Sequence, residues 1–312
     1  EQRWCALLFG KATTQSAALR RSLADSTALL GATSNTITSS DTCVAQYRVD
    51  RIVQGVMSSA RDWQSLASVL PFAHSLAEAS PDLFLDAIES FVSKDSTAVV
   101  NLFCDQQNTL GGSPHTALQA ALEVVAWSRD HLSRAALALA RLAELDPGGG
   151  YANRPQSSLR NIFLLWKPRT SASLDDRVKA LDRLRRKHSD VAWKLMTALM
   201  PKGISTAYPT CAPRRRDWTA DSGRPMTYGE LHRGVQYLLP RLRGDVGTSA
   251  ERWSALLECI EELDDADYAA VVDQLSEVAK SDTLALPDRL SIWTAVRELI
   301  ARHREFPSAE WA

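Results

Sequence analysis

The stretch SLDDRVKALDRLRRKH, residues 173–188, decides the fold. Leu174, Val178, Leu181 and Leu184 return at intervals of three and four residues and so share one face of a helix, which predicts that Arg177, Lys179, Arg183, Arg185 and Arg186 face water. Ser173 stands where a side-chain oxygen caps the first amides. Asp175 and Asp176 occupy the first turn, and Arg185, Arg186, Lys187 and His188 the last, so both ends match the helix dipole.

The same period extends outward in both directions. It predicts helices near 16–30, 42–58, 61–69, 72–79, 81–93, 96–103, 115–128, 130–145, 156–166, 190–200, 227–243, 249–263, 266–280 and 287–304, and strand alternation is nearly absent. Ser80-Pro81-Asp82 supplies a cap, a proline at the first helical position and an acid in the first turn. Leu286-Pro287-Asp288 opens the last helix in a related way, with Leu290, Trp293, Val296 and Ile300 as its predicted buried stripe. Short connections between many helices imply antiparallel neighbours. The fold class expected is all-α, an irregular α-solenoid or HEAT/TPR-like array, without the W-x-x-L-G-x-x-Y signature of a regular tetratricopeptide repeat.

Two longer connections break the rhythm, Asp146 to Pro155 and Pro201 to Pro225, the second beyond the length at which a structureless loop is common. They divide the chain into an N-terminal helical lobe (1–145), a central section with long loops (146–226) and a C-terminal helical lobe (227–312).

The 312 residues are 45% hydrophobic and 23% charged, enough apolar material for a packed core. A net charge of −1 and a pI near 6.7 argue against a globally basic nucleic-acid binder. Cys5, Cys43, Cys104, Cys211 and Cys259 are odd in number and never form C-x-x-C, a pattern of reduced thiols in a cytosol. No stretch has the apolar length to span a bilayer, and Trp4–Phe9 is short for a signal-peptide core, so a cytoplasmic protein with no membrane partner is expected. The chain opens on Glu1 and enters an apolar segment at once, which reads as a fragment of a longer polypeptide.

Catalytic signatures are missing. Gly10-Lys11 lacks the second glycine of a phosphate loop, since Cys5 stands in its place, and Ala12 replaces the magnesium-binding hydroxyl. Gly148-Gly149-Gly150 follows a helix, where glycine stops the helix, rather than a strand. His74 and Glu78 lie one turn apart without the third ligand of a metal site and are expected to be a surface pair. His115, after Ser113-Pro114 at a helix start, suits capping or packing. No serine sits in a G-x-S-x-G elbow. No cofactor is expected.

The basic clusters are more informative. Arg214, Arg215 and Arg216 beside Trp218, with Lys202 and Arg224 in the same connection, combine guanidinium forks with an aromatic face suited to phosphate, carboxylate or a protein hot spot. The competing reading has Trp218 anchoring the loop while the arginines stay solvated. Arg154, Arg160, Lys167 and Arg169 flank the apolar run Ile162–Trp166, which most simply packs a short helix. Residues 251–282 gather acids on a face that is either solvated or a dock for a basic partner. Most of the nine tryptophans, Trp193 among them, lie on apolar stripes and belong to the core.

Ser-Pro-His-Thr-Ala-Leu at 113–118, LALARLAELDPGG at 137–149, Asn153-Arg154-Pro155, Ser158-Leu159-Arg160 and Pro213-Arg214-Arg215-Arg216-Asp217-Trp218 together give the region from Ser113 to Trp218 a familiar appearance. It resembles the helical region of large bacterial STAND-type NTPases of antiviral defence. The resemblance implies an array that senses a foreign protein or passes that signal to oligomerisation, with the nucleotide switch and the effector lying outside it. This chain carries no Walker motif, so no catalytic residue carries over. The function expected is non-catalytic protein recognition and scaffolding, the partner being a protein ligand or other domains of the parent chain. The alternatives are a nucleic-acid module that uses the basic loop near Trp218, and an enzyme whose site is assembled from distant helices.

Overall fold

A computed structural model describes residues 15–34, 42–103, 113–202, 206–220, 227–260, 262–280 and 284–305, and every regular element among them is helical. Its backbone falls into two compact units, Glu1–Ala192 with Ala207–Met226, and Trp193–Thr206 with Thr227–Ala312. Residues 146–192 and 207–226, the greater part of the section expected to be central, lie in the first unit.

In the first unit α1 (Ala17–Thr33), α4 (Ala73–Ala79), α7 (Pro114–Ala126) and α9 (Pro155–Phe163) form one row, each packed on the next. A second row runs α2 (Thr42–Ser58), α5 (Pro81–Lys94), α8 (Leu132–Glu144) and α10 (Leu174–Lys187), and the rows meet where α1 packs on α2, α4 on α5 and α7 on α8. The short helices α3 (Trp63–Val69) and α6 (Ser96–Val100) fill connections, and α11 (Ser189–Leu199) is shared in sequence between the two units.

Close packing of the first row follows from small residues. Ala73, Ala77 and Ala79 of α4 are buried, and Gly31 of α1 lies so near α4 that a Cβ added there would stand 2.3 Å from the carbonyl oxygen of Ala79. Around this approach Ser75 donates to Asp25 at 2.7 Å, Ser34 to Gln46 at 2.8 Å and Ser80 to Asp50 at 2.7 Å. The second row is stapled by Arg134 of α8, whose guanidinium donates to Glu89 at 2.8 Å, to Asp82 at 3.1 Å and to Asp86, all on α5.

Helix α10 forms as its sequence dictates. Ser173 accepts from the Asp176 amide, and Val178, Leu181 and Leu184 are buried. Arg177 departs from expectation, being only 4% exposed. Its guanidinium donates to the carbonyls of Phe163 at 3.4 Å and Leu164 at 3.0 Å, the orphan acceptors at the end of α9. α9 stops at Phe163, where Leu164 leaves the helical conformation at ψ 129°, short of the 166 that its apolar sequence predicts.

In the second unit α12 (Tyr228–Asp245) is joined to α14 (Asp265–Lys280) by paired bonds between Arg243 and Gln274, and α13 (Ala250–Leu257) packs on α15 (Leu286–Glu305). Trp253 is fully buried, and Trp193, also in the core, lies under the guanidinium of Arg252 at 5.1 Å. The last helix reverses the expected orientation. Leu290, Trp293 and Ile300 are exposed, at 61%, 56% and 45%, whereas Ile292 and Leu299 are buried. Both sets keep a helical period, so periodicity gave the helix but not which of its two apolar faces meets α13.

The Gly31 approach makes a direct prediction. Gly31→Ala gains helix propensity of about 1 kcal/mol, yet its methyl meets backbone that cannot yield, so urea denaturation should show a net loss of roughly 1–3 kcal/mol. Gly55→Ala in α2, where an added Cβ meets nothing within 4 Å, should be neutral or stabilising in the same assay.

Candidate functional site

The loop from Thr206 to Ala220 carries the arginine cluster, and its backbone explains its place. From Thr206 to Arg216 the chain forms neither helix nor strand, so its amides need acceptors from other elements wherever they are covered. Two glutamates from the first row provide them. Glu78 of α4 and Glu123 of α7 are 1% and 2% exposed. The Glu78 carboxylate accepts from three consecutive backbone amides, those of Arg214 at 3.0 Å, Arg215 at 2.6 Å and Arg216 at 3.0 Å. Glu123 accepts from the Cys211 amide at 2.8 Å and from Ser158 of α9, while Trp127 Nε1 donates to the Cys211 carbonyl at 2.9 Å. Asn161 Oδ1 of α9 receives the Tyr208 amide at 3.3 Å.

The electrostatics of Glu78 follow from these contacts. Burial alone pushes its carboxyl upward, but the His74 imidazole, with Nε2 at 2.9 Å, and the three amides outweigh burial and hold it below its ordinary 4.5. The pair expected at the surface is therefore half of an internal anchor. Arg216 completes it, donating from Nε to the Glu78 carbonyl at 2.8 Å and from Nη2 to the Ala79 carbonyl at 3.2 Å. Burial draws the Arg216 pKa down, against the pull of Glu78, Asp217 and Asp50.

The arginines thus separate by role. Arg216 is partly buried and stacks over Trp218 at 5.7 Å, and Trp218 leans on His131, the residue just before α8, at 6.1 Å. Arg214 and Arg215 are exposed, and neither guanidinium has a partner among the described residues. The competing sequence reading describes this in part: Trp218 fastens the loop and Arg214 and Arg215 stay in water, while Arg216 does not.

The remaining residues singled out from the sequence do not join this surface. Arg154 forms a half-buried fork with Asp146 and stacks on Phe103 at 5.2 Å. Burial raises the Asp146 carboxyl, and the bonds from Arg154 and the Gly148 amide bring it below its usual range. Arg160 sits half-buried on α9, whose neighbouring Ile162 and Phe163 are core. Arg224 lies outside the described residues. His115 is buried, with Nδ1 2.7 Å from the Ser113 hydroxyl and its ring stacked on Phe103 at 4.6 Å, a packing residue as its position predicts. Cys211 is no activated nucleophile, because burial and then the Glu123 carboxylate push its thiol up.

Glu78 and Glu123 were missed as partners of the loop, although a signal was present. Each stands alone in an apolar helical run, ALEVVA around Glu123 and SLAEA around Glu78, and an acid flanked by alanine and valine on a core face must find donors. No family model matches the chain, and no curated protein or solved structure is significantly similar to it.

Replacing Glu78 tests the anchor. Glu78→Ala leaves the three amides of Arg214, Arg215 and Arg216 without their acceptor and should cost roughly 3–5 kcal/mol in urea denaturation, with Glu78→Gln in between. A depressed folded pKa stabilises above the unfolded value and stops doing so as pH falls through the folded value. The gap between the parent and Glu78→Gln should therefore be widest above pH 4.5 and close on further acidification.

Proposed function

We propose that this chain is a non-catalytic recognition scaffold, and that it serves as the sensor section of a larger bacterial antiviral defence protein. The two rows of the first unit are read as an irregular α-solenoid, with the loop at 206–220 as its recognition element. The observation that carries this reading is the division of labour in the loop: its backbone is held by Glu78 and Glu123 while Arg214 and Arg215 are left in water. A loop fixed in advance does not lose its backbone freedom on binding, and guanidinium forks recognise carboxylates in two-bond geometry. The partner this surface suits best is a protein with an acidic face. The sensor role rests on the resemblance of the region from Ser113 to Trp218.

The test is capture by the whole chain from bacterial lysates with and without phage infection, compared with Arg214→Glu/Arg215→Glu. The substitution leaves the backbone amides on Glu78, so the variant should keep the parent's melting temperature. A defined protein held by the parent and lost by the variant supports the proposal. Nuclease-sensitive capture that falls steeply with salt assigns the loop to nucleic acid instead. Equal capture by both chains removes the loop from recognition.

A further inference from the structure

The end of α4 is met from two sides. Arg216 Nη2 donates to the Ala79 carbonyl at 3.2 Å, and that same oxygen is the atom a Cβ on Gly31 of α1 would strike. The next residue, Ser80, is 4% exposed and donates to Asp50 Oδ1 of α2 at 2.7 Å. From there a line of polar contacts turns back to α1. Gln46 Nε2 donates to the same Asp50 oxygen at 2.7 Å, and Gln46 Oε1 stands 2.8 Å from the Ser34 hydroxyl, which also lies 2.9 Å from the Gly31 carbonyl. The line thus starts at Ala79 and closes on Gly31, the two residues at which α4 and α1 approach. Asp50 is near enough to Arg216 for its carboxylate to favour the charged guanidinium.

Apolar burial holds α1 weakly. Its buried residues are Ala28 and Gly31, while Leu19, Leu23 and Leu30 are exposed; α5, by contrast, buries Phe84, Leu85, Ile88 and Val92. Two small residues remove little apolar area from water, so the docking of α1 depends on close backbone approach and on polar contacts. A helix held in this way opens more readily than the core helices. A covered polar network that loses one member leaves the others without partners.

We infer that the α1–α2 pair is the output element of the loop: the hold of Arg216 on Glu78 and Ala79 is coupled to the docking of α1 and α2 through Ser80, Asp50, Gln46 and Ser34, so that loosening either loosens the other. The Ala79–Ser80 peptide plane joins the two, since a shift of the Ala79 carbonyl carries Ser80 with it. Such coupling is reciprocal by thermodynamic necessity. Its use rests on the reading of the loop as a recognition element, whereas its existence is tested without any partner.

The test is hydrogen–deuterium exchange of the whole chain, read by mass spectrometry on peptic fragments from α1, α2, the loop at 214–216 and α10. Arg216→Met keeps an unbranched stem and removes the donors, and Gln46→Leu removes the amide between Ser34 and Asp50. In the parent, α1 and α2 should exchange faster than α10, the mark of a local opening. Arg216→Met should speed exchange in α1 and α2 about tenfold, and Gln46→Leu should speed the loop amides by a like factor. The double variant should speed either region by well under the product of the two effects. The inference is overturned by α1 and α2 unchanged in Arg216→Met, by loop amides unchanged in Gln46→Leu, by multiplicative effects in the double variant, or by parent α1 exchanging at the rate of α10. Should Arg216→Met fail to fold, the Gln46→Leu arm decides alone. None of these readouts involves capture through Arg214 and Arg215, so the coupling and the recognition reading fail separately.

Discussion

The arrangement of the first unit depends on carboxylates that accept hydrogen bonds from backbone rather than from charged side chains. A carboxylate moved out of water without partners is prohibitively unstable, and Glu78 and Glu123 are both almost fully covered. Their partners are the amides of an irregular loop that would itself leave unsatisfied donors if it packed on plain hydrocarbon. Each half answers the other's deficit. A guanidinium partner for Glu78 would have tied a flexible side chain and left three amides to find other acceptors. Instead the amides take the carboxylate, Arg216 takes the helix-end carbonyls, and two of three adjacent arginines remain unspent.

Small residues make that solution reachable. Gly31 and the alanines at 73, 77 and 79 bring α1 and α4 together closely enough that no bulk intervenes. Glu123 lies one helix further along the same row, where Ser158 of α9 donates to it, and Asn161 of α9 supplies the next acceptor for the loop. The loop crosses three successive helices of that row and is fastened at each. A single slipped contact would strand a buried acid, so the loop's conformation is coupled to the packing of the row beneath it.

Most of the helices were legible in the sequence, because acids in first turns and a period near three and a half residues agree at α5 and α10, joined by a proline at the start of α5 and the Ser173 cap of α10. The cap expected from Ser80 is not made, its hydroxyl going to Asp50 instead. Burial was legible where a helix has one apolar face and misread where it has two, as in α15, whose exposed Leu290 and Trp293 are as regular as its buried Ile292 and Leu299. Arg177 was misread for another reason: its place is set by carbonyls left open at the end of α9, a need that no local pattern reports. The arginine cluster was visible as composition. Its sorting into one structural and two solvated members was not, because that depends on Glu78, 136 residues from Arg214 in sequence.

That sorting bears on how such a surface acts. Two exposed guanidiniums attract acidic surfaces over about 8 Å at physiological salt and raise encounter rates, but exposed ion pairs contribute only about 0–1 kcal/mol each to a finished complex. Charge at the loop therefore orients an approaching partner more than it retains it. Retention requires apolar area removed from water, at about 25 cal/mol per Å², which two solvated guanidiniums do not themselves supply, so the charge of Arg214 and Arg215 bears on encounter and orientation.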